Sequence, residues 1–134
     1  MPRVARYSDV TAKGTVMYQL CFYVPESHAD SVKNAVFGTG AGRIGDYECC
    51  SWQVLGKGQF LPAEGSRPFL GRVGQLESVD EIRVEMVCDD ECIEAALSAL
   101  LAAHPYEEPA FHYWRVRTDK PPLTRKSSEE SEDS

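Results

Sequence analysis

The strongest constraint on the fold is a pattern that occurs twice, an alternating apolar strand followed by an amphipathic helix. Apolar and polar residues alternate over residues 17–24, which is the period of a β-strand with one buried face. Pro25 ends this strand and suits the first turn of a helix. The apolar stripe of that helix consists of Ala29, Val32, Val36 and Phe37. The core therefore begins with a strand and a helix.

The same order returns in the second half of the chain. Apolar and charged residues alternate over residues 82–86, which predicts a half-buried strand. We expect Asp89 and Asp90 to cap the start of the following helix, and His104-Pro105 to end it. The clearest helical stripe of the sequence lies between them, at Ile93, Ala96, Leu97, Leu100 and Leu101.

Two further strands and two connecting segments complete the pattern. We expect strands over residues 47–60, with Gly56-Lys57-Gly58 as a turn or bulge, and over residues 108–116, which are rich in aromatic residues. The glycines of residues 38–42 are expected to end the first helix in a left-handed conformation. Residues 61–74 are rich in proline and glycine and predict a long excursion.

The resulting order, β-α-β-β-α-β, predicts a ferredoxin-like α+β sandwich of two layers. Right-handed crossovers place both helices on one face of the sheet and leave the other face uncovered. Alternation puts Tyr18, Leu20 and Phe22 on one face and Cys21 and Tyr23 on the other, so both faces carry apolar side chains. An uncovered apolar face predicts association with further copies of the chain.

Length and composition bound the organisation. The 134 residues fit one domain, which we place at residues 17–117. Residues 1–16 are weakly patterned and are expected to be loose. Residues 118–134 contain one large apolar residue, Leu123, and we expect them to form a disordered acidic tail.

Charge and cysteine usage narrow the class of protein. A net charge of −7 argues against nucleic acid as the main partner. We expect neither a secretory signal nor a membrane segment, because no sufficiently long apolar run occurs. The five cysteines are odd in number, include the adjacent pair Cys49-Cys50 and contain no C-x-x-C motif. We therefore expect reduced thiols and a cytoplasmic location.

The glycine run of residues 38–45 is not a typical nucleotide-binding loop. Phosphate-binding glycines precede a helix, whereas these follow one, and no Gly-Lys-Ser/Thr sequence ends the run. Two interpretations stay open: a helix cap with a tight turn, and a backbone nest that binds an anion together with Arg43.

The three histidines and the acidic residues give weak indications of chemistry. No histidine pair has the spacing of a metal site within one chain, although spacing does not test a site shared between chains. Glu107 and Glu108 follow His104, and such a group can do acid–base work. Pro105 and Pro109 favour the simpler interpretation of a rigid turn, and no nucleophile–base motif occurs.

Two motifs carry a resemblance to known families. Residues 104–109, His-Pro-Tyr-Glu-Glu-Pro, resemble the closing segment of CutA proteins. Residues 40–47, with Cys-Ser-Trp at 50–52 and Gly-Gln-Phe at 58–60, resemble the PII-like insert domain of YqfO-type proteins (the NGG-one-interacting-factor-three-like group). The resemblance spans residues 17–116 and identifies the chain as similar to a stand-alone version of that domain.

The resemblance implies a trimer whose sheets pack around the axis, with ligands in clefts between subunits. The dimetal centre of YqfO-type proteins belongs to flanking halves that have no counterpart in this sequence, so we expect no enzymatic activity. We expect a non-enzymatic PII/CutA-like trimer that binds a small or anionic ligand, without a cofactor. The candidate contact residues are Arg43, Tyr47, Trp52, His104, Tyr106 and Glu107.

Each candidate has an expected role. Arg43 would meet an anionic group, Tyr47 or Trp52 would stack or anchor, and His104 and Glu107 would supply polar contacts. The first alternative is a divalent-metal-binding protein, as CutA resemblance implies. The second is an enzyme that uses Glu107 and Glu108.

Overall fold

The structure, a computed structural model, describes residues 16–118. The loose N-terminal segment and the acidic tail predicted above lie outside these residues, apart from Val16 and Thr118. Val16 already belongs to the first strand. The elements follow the predicted order: β1 (Val16–Pro25), α1 (Ala29–Phe37), β2 (Trp52–Phe60), β3 (Glu77–Asp89), α2 (Ile93–Ala103) and β4 (Phe111–Arg117). A single 3-10 turn, Glu26–His28, leads from β1 into α1.

The four strands form one antiparallel sheet in the order β2-β3-β1-β4. The first strand of each half, β1 or β3, lies in the centre, so the two halves interlock. This is the predicted ferredoxin-like α+β arrangement, and the prediction of fold class is confirmed. No helix among residues 16–118 has the length and apolar character needed to cross a membrane.

The hydrophobic core lies between the sheet and the two helices. Its largest fully buried side chains are Phe22, Leu20, Leu100, Val24, Val32, Val36, Val84 and Cys88. They come from alternate positions of β1 and β3 and from one side of each helix, as the two periodicities predict. Leu101 is an exception to the predicted stripe, because it is 49% exposed at the surface of α2.

Within residues 16–118, no helix covers the opposite face of the sheet. Residues paired across neighbouring strands point to the same side, and the register therefore assigns the side chains of this face. We call it the open face. Its members include Gln19, Cys21, Tyr23, Trp52, Val54, Arg83, Glu85, Val87, His112 and Trp114.

Strand β2 corrects one prediction. Gly56 and Gly58 do not form a turn or a bulge, because β2 pairs with β3 without interruption from Trp52 to Phe60. A Cβ at Gly58 would collide with the side chain of Glu81. The glycine therefore makes room for a neighbouring carboxylate rather than breaking the strand. The strand also begins at Trp52 rather than at residue 47.

The helix ends differ in detail from the predictions. Gly38, which ends α1, has a right-handed backbone, and the positive φ angles occur later, at Gly40 and Gly42. Cys92, not Asp89 or Asp90, precedes α2, and no side chain caps that helix. The Asp90 carboxylate instead forms an ion pair with Arg115 at 3.1 Å.

The predictions around α2 and β4 differ in outcome. The helix ends at Ala103, followed by His104 in an extended conformation, as predicted. β4 begins at Phe111 rather than at residue 108, because residues 104–110 form the turn that precedes it.

Candidate functional site

A cleft of about 420 Å³ lies at the end of the sheet, where β2 runs into a long loop and the turn before β4 approaches β3. We call it the loop cleft. One wall is the loop of residues 61–76, and the other is the turn of residues 104–110. Its lining residues are Tyr23, Gln59, Phe60, Leu61, Pro62, Ala63, Ser66, Pro68, Phe69, Leu70, Glu81, Tyr106, Glu107, Glu108 and Ala110.

The loop wall is closed by its own backbone. The Gly74 N–H donates to the Pro62 carbonyl at 2.8 Å, which brings the two ends of the loop together, and Pro62 is buried. Gly71 has a positive φ, and a Cβ there would collide with the Glu77 side chain. The predicted long excursion is therefore a folded loop held at its base.

One hydrogen bond attaches this loop to the turn. The Arg67 N–H donates to Glu107 Oε1 at 2.9 Å. Glu107 thus holds the loop in place with one oxygen, while its side chain remains exposed at the cleft. The structure thus places Glu107 at the cleft, and its predicted contact with a ligand stays a prediction.

His104 anchors the turn beneath the cleft. Its Nε2 lies 2.7 Å from the Tyr23 carbonyl, and the Tyr106 N–H donates to its Nδ1 at 3.1 Å. Because Nδ1 accepts, the ring proton is on Nε2 and is donated to Tyr23. Burial lowers the pKa of His104, an effect that the Tyr23 carbonyl and the charge of Glu81 oppose. His104 is a neutral positioning residue and does not line the cleft.

Tyr106 makes both polar and aromatic contacts with other residues that line the cleft. Its hydroxyl donates to Glu81 Oε2 at 3.1 Å, and its ring lies 6.3 Å from that of Phe60 and 6.2 Å from that of Phe69. Burial raises the pKa of Tyr106, and the charge of Glu81 and the hydrogen bond to it act in the same direction. The hydroxyl therefore stays protonated and holds the Glu81 carboxylate in position.

The electrostatic character of the cleft is negative. Its lining includes Glu81, Glu107 and Glu108, and among the described residues that line it there is no lysine, arginine or histidine. The remaining lining side chains are mostly aromatic or aliphatic. The arrangement can bind a ligand that combines an apolar body with a positive group.

The other three predicted residues lie elsewhere. Trp52 lines a shallow depression of about 500 Å³ on the open face, together with Ile44 and Glu85. Arg43 and Tyr47 lie in the adjacent glycine-rich loop, where Tyr47 is 75% exposed, and line neither cavity. Within one chain the structure brings together Tyr106 and Glu107, places His104 beneath them, and leaves Arg43, Tyr47 and Trp52 as a separate group.

Sequence reasoning missed Glu81, Phe60 and Phe69. One feature of the sequence points indirectly to Glu81. A glycine inside a strand often marks the close approach of a neighbouring group, and Gly58 lies against the Glu81 side chain. Phe69 is a large apolar residue in a segment otherwise rich in proline and glycine. Neither signal identifies Tyr106, which lies 25 residues after Glu81 in the sequence.

The metal-binding alternative has no counterpart in the part of the chain that the structure describes. Within residues 16–118, no group of three or more His, Cys, Asp or Glu side chains is arranged to hold a metal ion.

Comparison with known proteins identifies relatives of this chain. A Mycobacterium leprae protein named GTP cyclohydrolase 1 type 2 homolog is 55% identical over 89 residues, which are 66% of this chain and 23% of that protein. The crystal structure of a Bacillus cereus protein related to NIF3 has a TM-score of 0.67 and 34% identity, covering 80% of this chain and 27% of that one. The chain thus spans about a quarter of the length of these relatives. No protein-family model matches it.

The fold itself is that of CutA. CutA from Xylella fastidiosa has a TM-score of 0.57 and 19% identity, covering 80% of this chain and 88% of its own. A PII-like protein CutA from a Nostoc species has a TM-score of 0.54 and 18% identity, covering 75% and 81%. The chain therefore has homologues named GTP cyclohydrolase 1 type 2 homolog, and its fold is PII/CutA-like. The resemblance implied both of these findings.

Proposed function

We propose that this chain is a non-enzymatic PII/CutA-like assembly domain, which forms a homotrimer through its open face and binds small ligands in clefts at the subunit boundaries. The observation that carries the proposal is the open face itself. Trp52, Val54 and Trp114 are 59%, 44% and 46% exposed on it, although strands of a two-layer domain normally bury such residues.

The polar side chains of the open face support its burial against another subunit. Arg83 pairs with Glu85 at 2.9 Å, and Gln19 donates to Glu85 at 2.9 Å. Polar groups that already have partners can be covered without leaving unsatisfied hydrogen-bonding atoms. Covering each half-exposed large apolar side chain contributes about 1 kcal/mol. Covering this face therefore gains free energy from its apolar side chains and loses little from its polar groups.

The loop cleft adjoins this same face. Tyr23 belongs to the open face and also lines the cleft. A second subunit packed on the open face would therefore lie beside the cleft and could supply part of its wall. In this trimer, Tyr47 and Trp52 contribute to ligand contact where a neighbouring subunit brings them to a loop cleft. The expected contact of Arg43 with an anionic group stays a prediction.

Several observations favour binding over catalysis. His104 uses both ring nitrogens on backbone groups, so its imidazole is not free to act as a general base. Glu107 is engaged with the loop backbone, and the Ser66 hydroxyl donates to the Ala63 carbonyl. The cyclohydrolase name belongs to relatives four times as long as the matched region, and we propose no turnover by this chain.

The two tryptophans provide a direct test, because both tryptophans of the chain lie on the open face. We expect acrylamide to quench their fluorescence weakly at 100 µM protein and several-fold more strongly on dilution to 50 nM, as the subunits dissociate. Strong quenching that is independent of concentration would contradict the assembly.

A further inference from the structure

We propose that the loop cleft selects a small organic cation, a protonated primary amine attached to an aromatic or aliphatic body, rather than an anion. The proposal deepens the proposed function, on which it rests only in taking this cleft as the ligand site. It departs from the anionic ligand that the sequence led us to expect.

The first argument is charge. Glu81, Glu107 and Glu108 face one cleft of about 420 Å³ that no cationic side chain among its described lining residues neutralises. Glu81 accepts from the Tyr106 hydroxyl and Glu107 accepts from the Arg67 N–H. Each of these contacts leaves the net charge of the carboxylate in place. Carboxylates held in this way attract a cation and repel an anion.

The second argument is the aromatic lining. The ring centroids of Phe60 and Phe69 lie 6.3 and 6.2 Å from that of Tyr106, and all three rings line the cleft. The faces of aromatic rings attract ammonium groups within about 6 Å, and several rings around one cleft are a known means of binding organic amines. Rings and carboxylates in one cavity therefore favour the same class of ligand.

The third argument is size. A volume of about 420 Å³ lies at the lower end of the usual range for small-molecule sites. Leu61, Pro68 and Leu70 supply apolar surface for the uncharged part of the ligand. The cleft suits a molecule with about one ring or a short chain and a single ammonium group.

Three probes with the same ring and different charge test this inference. Phenethylamine, 2-phenylethanol and phenylacetate are titrated into the full chain at pH 7, and binding is followed by NMR chemical shifts. We expect phenethylamine to bind about tenfold more tightly than 2-phenylethanol, and phenylacetate to bind most weakly. Equal affinities, or tighter binding of phenylacetate, would overturn the inference.

A matched pair of variants locates the effect. Glu107→Gln removes the charge and keeps an oxygen that can accept from Arg67, so it should lower phenethylamine affinity about fivefold and leave 2-phenylethanol unchanged. Glu64→Gln removes an exposed charge from the same loop outside the cleft lining, and should change neither. An equal loss in both variants, or no loss in Glu107→Gln, would contradict a site in the cleft.

The oligomeric state of the same samples separates this inference from the proposed function. An assembled protein that shows no preference for the amine refutes the cation site and leaves the assembly intact. A monomer that prefers the amine refutes the assembly and leaves the cation site intact.

Discussion

The two faces of the sheet are built from the same strands and differ in what covers them. On the helix-covered face, Leu20, Phe22 and Val84 are fully buried. On the open face, Trp52 and Trp114 keep about half of their surface exposed. Alternation of apolar residues places apolar side chains on both faces of the sheet. Residues 16–118 cover only one of these faces. The open face is therefore where a further molecule can bind.

The largest effect should come from the helix-covered face. Leu20→Ala removes a fully buried side chain from the core and should lower the free energy of unfolding by about 3 kcal/mol. This loss should be the same at every protein concentration, since the core forms within one chain. Urea unfolding at two concentrations measures it. A loss below 1 kcal/mol would show that the core is not packed around this residue.

The next effect concerns the open face. Trp114→Glu places a charge on a surface that another subunit covers in the proposed trimer. Burying an unpaired charge is costly, so light scattering should show a monomer. Leu101→Glu is the control, because Leu101 is 49% exposed on α2, close to the 46% of Trp114. The two variants should differ in mass. The same mass for both would mean that the open face is no interface.

A smaller effect distinguishes two glycines of the same strand. Gly58→Ala would place a Cβ against the Glu81 side chain, whereas a Cβ at Gly56 meets no atom within 4 Å. We expect Gly58→Ala to cost about 1 kcal/mol and to disturb the Tyr106–Glu81 contact, and Gly56→Ala to change stability by less than about 0.5 kcal/mol. Urea midpoints measure both. Equal midpoints would show that Glu81 moves aside without cost.

The smallest effect is a dependence on pH at the end of the sheet. Burial lowers the pKa of His104 in the folded chain below its ordinary 6.5, so the unfolded chain binds the proton more readily. The contribution of His104 to the free energy of unfolding is therefore fully present above pH 6.5. It is lost as the pH falls through the pKa of His104 in the folded chain. Thermal melts between pH 8 and pH 5 should show this decline.

A variant pair assigns that decline to one histidine. His104→Gln keeps a donor for the Tyr23 carbonyl and removes the titrating ring, so its melting temperature should depend less steeply on pH. Leu101→Gln, at a half-exposed position of α2 away from the open face, replaces a group that does not titrate and should retain the wild-type slope. A wild-type slope in His104→Gln would assign the pH dependence to other groups.

The fold could be predicted from the sequence because its signals are local. The strand period around Leu20 and the helical stripe that includes Leu100 each lie within one segment. Together they predict the order of the elements and the covered face of the sheet. The errors arose where a distant partner decides the local structure. Asp90 pairs with Arg115 rather than capping α2, and Gly58 accommodates Glu81 rather than turning the chain.

The candidate site could be predicted only in part for the same reason. Tyr106 and Glu107 lie in one proline-bounded turn, so the sequence places them together. Glu81 and Phe69 reach them from β3 and from the long loop, and only the tertiary structure shows that contact. The negative charge of the cleft therefore became visible only with the fold, and the proposal of a cationic ligand rests on it.

In the proposed assembly, further copies of the chain cover the open face. Light scattering of the full chain during size-exclusion chromatography tests it most directly. We predict a particle of about three times the 14.9 kDa chain mass at high micromolar concentration. A particle with the mass of a single chain under those conditions would show that the open face is not an interface between copies of the chain.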